Sequence, residues 1–210
     1  MSLAQNPLFG AMRKSMGNFT VSSYNGLNIV RSKAFRKKDP KSKLQIKQRL
    51  RMTLIARQYN SIGSFIDYGF VETKLGNSSY NMFVKANFKS AFDDTGDLPV
   101  ISYPLLLISK GSLPLMKVIE SVVGDEGISL KYDTNLSLPK VSATDEVIAL
   151  VKNKEDDFFF DTGLRGNGET GTLLIPYANK DVNDIVCCYI FARSADGKKT
   201  SNSVFISLEK

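Results

Sequence analysis

The sequence predicts an α+β fold: a β-hairpin, a basic arm and a helical hairpin over residues 1–99, then an antiparallel β-sandwich over residues 100–210. Three observations predict it. Asn25-Gly26 sits between two short β-like runs, and a two-residue Asn-Gly loop is a strong hairpin signal. Met52, Ile55, Tyr59, Ile62 and Ile66 recur at alternating three- and four-residue steps, the spacing of one helical face. After residue 100 the pattern turns to short apolar runs separated by glycine and aspartate turns, the signature of a sandwich.

Taken in order, Phe19, Val21 and Ser23 alternate with Thr20, Ser22 and Tyr24, and Leu27, Ile29 and Val30 open the return strand. Asp39-Pro40 offers a helix start, because Asp caps free amides and Pro suits the first helical position. A helix is expected from Lys41 to about Tyr68, with Gly63 as a weak point or break. A second is expected from a Ser78 or Ser79 cap to about Phe92, with Tyr80, Phe83, Val84, Phe88 and Ala91 on its core stripe. Strand-like runs follow at Val100–Ser109, broken by Pro104, and at Leu115–Val123, Ile128–Tyr132, Glu146–Val151, Asp157–Thr162, Thr172–Ile175, Ile185–Ala192 and Ser203–Leu208. Ile128, Leu130 and Tyr132 alternate with Ser129 and Lys131, so one face of that strand is wet. Ile185–Ala192 is apolar on both faces, which marks a central strand.

Charge is placed unevenly. Residues 1–60 hold thirteen Lys and Arg against one acid, Asp39, whereas residues 61–210 hold fifteen bases and twenty acids; the whole chain carries +7. The basic excess centres on Arg31, Lys33, Arg36, Lys37, Lys38, Lys41, Lys43, Lys47, Arg49 and Arg51, the candidate partner-binding residues. Such a segment is a solvated arm, a dock for an acidic protein surface, or a phosphate binder. Phe35 is the only aromatic between Arg31 and Arg57, so nucleic-acid binding there would be phosphate-driven and sequence-blind.

The chemistry of catalysis is poorly represented. The chain has no histidine, which removes histidine-based triads and general bases and nearly all catalytic zinc sites. Cys187 and Cys188 are neighbours whose side chains point to opposite faces of a strand, so they read as two reduced, buried thiols. Gly166, Gly168 and Gly171 spell G-x-G-x-x-G, but between strands with no helix to follow, and so read as a loop. Carboxylates cluster at Asp93, Asp94 and Asp97, and at Glu155, Asp156, Asp157 and Asp161, without the spacing of a calcium loop. The expectation is a non-enzymatic protein with no cofactor and no metal. No apolar run is long enough to cross a membrane as a helix, and the first residues lack the pattern of a secretory signal. With reduced thiols, this points to a protein made in a reducing cytosol.

Several runs resemble known sequences. Asp184–Ala192, Ser194–Lys198 and Ser201–Ser203 look like the last hairpin of a fibronectin type III or immunoglobulin-like domain. Gly17-Asn18, Tyr24, Gly26, Val30–Lys33, Pro40, Gln45, Gln48-Arg49 and the Ser109–Pro114 run are similar to an uncharacterised family common in Bacteroidota and found in their phages. The resemblance implies a hairpin, a basic Gln-x-x-Gln-Arg helix and a C-terminal sandwich, and it carries no activity. It leads to the expectation of a phage virion component: a capsid-decoration, connector or tail-associated subunit, made in the host cytoplasm and bound to other subunits as a homo- or hetero-oligomer. The alternatives are a cytoplasmic protein that binds nucleic-acid phosphates through Arg31–Arg57, and a surface adhesion module.

Overall fold

The computed structural model describes residues 2–3, 14–24, 27–33, 39, 41–72, 77–93, 95–124, 126–155, 157–177 and 184–208. Within them the chain is α+β. The N-terminal strands are β1 (Ser2–Leu3), β2 (Lys14–Met16), β3 (Phe19–Tyr24) and β4 (Leu27–Ser32), in the antiparallel order β1-β4-β3-β2. Tyr24 pairs with Leu27, the register a two-residue loop requires. Asn25 and Gly26 themselves lie outside the described residues.

The long helix is shorter than expected at both ends. α1 runs Lys43–Ile62, and its N-cap is Ser42, whose hydroxyl accepts from the Gln45 amide at 3.3 Å. It does not include Lys41, which holds a left-handed backbone (φ 45°); Pro40, the expected first helical position, lies outside the described residues. Asp39 instead turns to the Lys41 amide and the Arg49 guanidinium. Gly63, at φ 54° and ψ −119°, ends α1, and a separate helix α2 (Ser64–Gly69) follows. α3 spans Ser79–Asn87 with Ser78 as its cap, stopping short of Phe92. The expected strand at Val100–Ser109 reduces to β6 (Val100–Ile101), paired with β5 (Phe92–Asp93); beyond it Tyr103–Leu105 forms a 3-10 turn around Pro104.

The remaining strands are β7 (Lys117–Gly124), β8 (Gly127–Asp133), β9 (Glu146–Asn153), β10 (Phe158–Leu164), β11 (Thr170–Pro176), β12 (Ile185–Arg193) and β13 (Val204–Ile206). They form two antiparallel sheets, ordered β10-β9-β12-β13 and β11-β8-β7. β12 is central, as its two apolar faces predicted. On β8, Ile128, Leu130 and Tyr132 are buried and Ser129 and Lys131 half-buried, as its alternation predicted.

The β10-β9-β12-β13 sheet is sandwiched. Val147, Ala149, Val151, Cys188, Ile190 and Ala192 face the other sheet and pack with Met116, Ile128, Leu130, Tyr132, Leu173 and Ile175. Ile148, Leu150, Cys187, Tyr189 and Phe191 face the helices and pack with Ile55, Ile62, Ile66, Phe70, Phe83 and Ala91. The period-two alternation of β9 and β12 thus feeds two cores at once.

Polar side chains fasten the helical layer to the segment 107–112 and to Thr200, which follows β12. The buried Asn87 amide donates to the carbonyls of Phe83 (3.0 Å) and Leu107 (2.8 Å) and accepts from the Leu107 amide (2.8 Å). The Gly69 carbonyl accepts from the Ser109 and Thr200 hydroxyls. The Glu72 carboxylate gathers the Ser112 amide and hydroxyl and the Thr200 amide. The Ser109–Pro114 run singled out by sequence is therefore a structural knot.

Candidate interaction surface

None of the described side chains from Ser15 to Leu54 is buried; the first that is buried is Ile55. Two elements account for this. The β3–β4 hairpin is exposed or half-buried throughout, with Phe19 55% and Tyr24 40% exposed. The first three turns of α1 reach beyond the core. Their apolar side chains meet solvent, most of all Leu44 at 77% exposed. Met52, placed by its periodicity on the core face, is 39% exposed. The helical period places Leu44, Gln48 and Met52 on one stripe, but the apolar side chains of α1 enter the core cluster only from Leu54 and Ile55 onward.

The ten candidate bases are distributed over several surfaces. Arg31 is the penultimate residue of β4 and Lys33 follows the strand, both exposed. Lys41 is exposed beside the cap, and Lys43 is exposed as the first residue of α1. Lys43, Lys47 and Arg51 recur every fourth residue and share one side of the helix, next to the Leu44 stripe. Lys47 and Arg51 are half-buried, and the Arg51 guanidinium lies 5.4 Å from the Phe92 ring centre. Arg49 falls on the other side and pairs with Asp39 at 2.6 Å. That hydrogen bond lowers the Asp39 pKa and raises that of Arg49. Arg36, Lys37 and Lys38 lie outside the described residues.

A concave surface that the sequence did not reveal lies between α2 and strands β9 and β10. It encloses about 520 Å³ and is lined by Ser64, Phe65, Tyr68, Glu146, Ile148, Phe160 and Thr162. Phe65 and Phe160 meet edge to face at 4.8 Å. The Arg193 guanidinium sits 4.9 Å from the Tyr68 ring centre and 3.8 Å from the Glu146 carboxylate. Tyr68 and Phe160 are about half exposed, and Glu146 stands at the rim with its side chain 44% exposed. A second, more open cleft of about 580 Å³ lies at one end of the β7–β13 sheets, between residues 133–137 and 167–170.

In the carboxylate clusters Asp93 and Asp157 hold local turns, and Asp161 lies within β10. Asp93 accepts from the Thr95 amide, which lowers its pKa, and Asp157 exchanges hydrogen bonds with Asn153. Asp94 and Asp156 lie outside the described residues. Among the described residues no group of three or more Cys, Asp or Glu is placed to hold a metal ion. Gly166 and Gly168 lie in the turn that leads into β11, and Gly171 is already within that strand, paired with Tyr132. Both thiols are reduced and buried, and burial pushes both pKa values up, Cys187 to about 12. Among the described residues no helix is long and apolar enough to cross a membrane.

A family model described as a family of unknown function (DUF6266) matches residues 11–207. No curated protein and no solved structure matches the chain.

Proposed function

Since this chain belongs to the family of unknown function DUF6266, we propose that it is a non-enzymatic interaction protein, a subunit of an assembly that it joins through its basic N-terminal region. The observation that carries this reading is the run of about forty residues, Ser15 to Leu54, in which hairpin and helix are formed yet no described side chain is buried. Ordering backbone costs roughly 1–2 kcal/mol per residue. Burial of apolar surface is the main term that offsets it. At its end Leu54 packs on the helix–sheet core and Arg51 lies over Phe92, but the hairpin and the first turns of α1 have no core of their own and gain that burial from a neighbour.

We propose further that residues 117–206 are a fibronectin type III-like sandwich. Lettered A to G in chain order, β7 to β13 fall into the sheets E-B-A and D-C-F-G. The fourth strand sits beside C instead of beside E, which separates this order from that of an immunoglobulin constant domain. Taken with the resemblance to sequences of Bacteroidota phages, the assembly is a virion, and the chain is a decoration, connector or tail-associated subunit made in the host cytoplasm.

A second reading is favoured by the exposure of Arg31, Lys33, Lys41 and Lys43: these would bind nucleic-acid phosphates. Light scattering at low and high salt, with the 260/280 nm ratio read on the same peak, separates the two. A defined, salt-resistant oligomer or a clean monomer captured by a protein partner is the result expected. A monomer carrying nucleic acid that salt strips away would overturn the proposal.

A further inference from the structure

We infer that the partner of the α1 tip is a second copy of this chain: the stripe formed by Leu44 and Met52, with Lys43 beside it, docks into the aromatic cleft of Phe65, Tyr68 and Phe160 whose rim carries Glu146. This rests on the reading of the chain as an assembly subunit and names its contact. The two surfaces match in kind. One is a convex helix end with exposed apolar side chains and positive charge. The other is a concave apolar surface of about 520 Å³, whose edge carries the Glu146 carboxylate with the Arg193 guanidinium 3.8 Å from it. Charge is segregated along the chain in the same sense, thirteen bases against one acid in residues 1–60 and twenty acids against fifteen bases after them. Such a distribution attracts the N-terminal part of one molecule to the body of another.

The contact cannot form within one molecule. The cleft begins at Ser64, two residues beyond the end of α1. Leu44 lies eighteen residues before Ile62 on the same helix, about 27 Å away at 1.5 Å per residue. A rigid helix holds its own tip away from its own cleft and presents it outward. Two different surfaces then pair, so the contact is heterologous, and repetition builds a ring or a filament.

The test uses the full chain with two variants, Leu44→Glu in the tip and Tyr68→Ala in the cleft, each checked by circular dichroism. Phe160→Ser serves as a second cleft variant. Wild type assembles. Each variant is a monomer where wild type is assembled, with association weaker by at least about tenfold. An equimolar mixture of the tip variant and a cleft variant recovers a dimer and nothing larger, because one intact contact remains. Variants that assemble like wild type, or a mixture that stays monomeric, would overturn the docking and leave the assembly reading standing. A wild-type monomer free of nucleic acid would overturn the second-copy partner alone. A wild-type monomer bound to nucleic acid that salt removes would overturn both.

Discussion

Cys187 and Cys188 are consecutive residues of β12 that belong to different cores: the first faces the helices beside Tyr189 and Phe191, the second faces the opposite sheet beside Ile190 and Ala192. Both thiols are therefore buried in apolar surroundings that disfavour the thiolate. In the unfolded chain a thiol titrates near about 8.5. Their folded pKa values are raised, so the stability they carry is complete below about pH 8.5. It falls as pH rises toward about 12 for Cys187, by roughly 1.4 kcal/mol per pH unit for each thiol. Denaturant midpoints measured from pH 8 to 10 will decline, and the Cys187→Ala/Cys188→Ala variant will show a shallower decline. At neutral pH a thiol reagent will label neither cysteine until the protein is unfolded.

The Arg165 side chain is 1% exposed, and its Nε lies 3.8 Å from the Asp145 carboxylate. Its other nitrogens donate to the Thr134 carbonyl at 2.9 Å and the Met116 sulfur at 3.3 Å. Burial lowers the pKa of this guanidinium, and the Asp145 charge opposes the shift. Asp145→Asn leaves a buried cation without its counter-charge and will cost about 3–5 kcal/mol. Arg165→Met in the same chain will restore part of that loss. Urea unfolding of the two single variants and the double variant gives the coupling.

Asn87 closes three hydrogen bonds in a site with no solvent access. Asn87→Leu will strand the amide and carbonyl of Leu107, each at a cost of about 1–3 kcal/mol. The expected result is a lower urea midpoint with an unchanged m-value.

Gly69 packs so closely on the loop below that a Cβ there would overlap the Ile108 carbonyl oxygen and come 2.9 Å from the Ser109 Cα. Gly69→Ala will destabilise by at least about 1–3 kcal/mol, the cost of overpacking against backbone. Gly96→Ala, where the nearest atom is at 3.8 Å, is the matched control and will leave the thermal midpoint nearly unchanged.

Much of the sheet region was legible because period-two alternation is a local signal: the wet face of β8, the central place of β12 and the opposed cysteines all follow from it. Helix ends were less legible. Ser42 and Asp39 both cap well, and only the left-handed backbone at Lys41 decides between them. The aromatic cleft was not legible at all. Phe65, Glu146 and Phe160 are brought together by the packing of α2 on β9 and β10, and no spacing in the chain records that. The exposure of Met52 was hidden for a related reason, since a helical stripe reads alike whether or not a sheet lies beneath it.

The central claim is that the Ser15–Leu54 segment gains its burial from a neighbouring protein. Hydrogen exchange of the β3–β4 and early α1 amides, measured at concentrations above and below assembly, tests it most directly. The account predicts strong protection of Phe19–Ser32 and Lys43–Met52 in the assembled protein and its loss on dilution, while β9 and β12 stay protected throughout. Equal protection of the N-terminal amides at both concentrations, in protein shown to be monomeric at the lower, would contradict it.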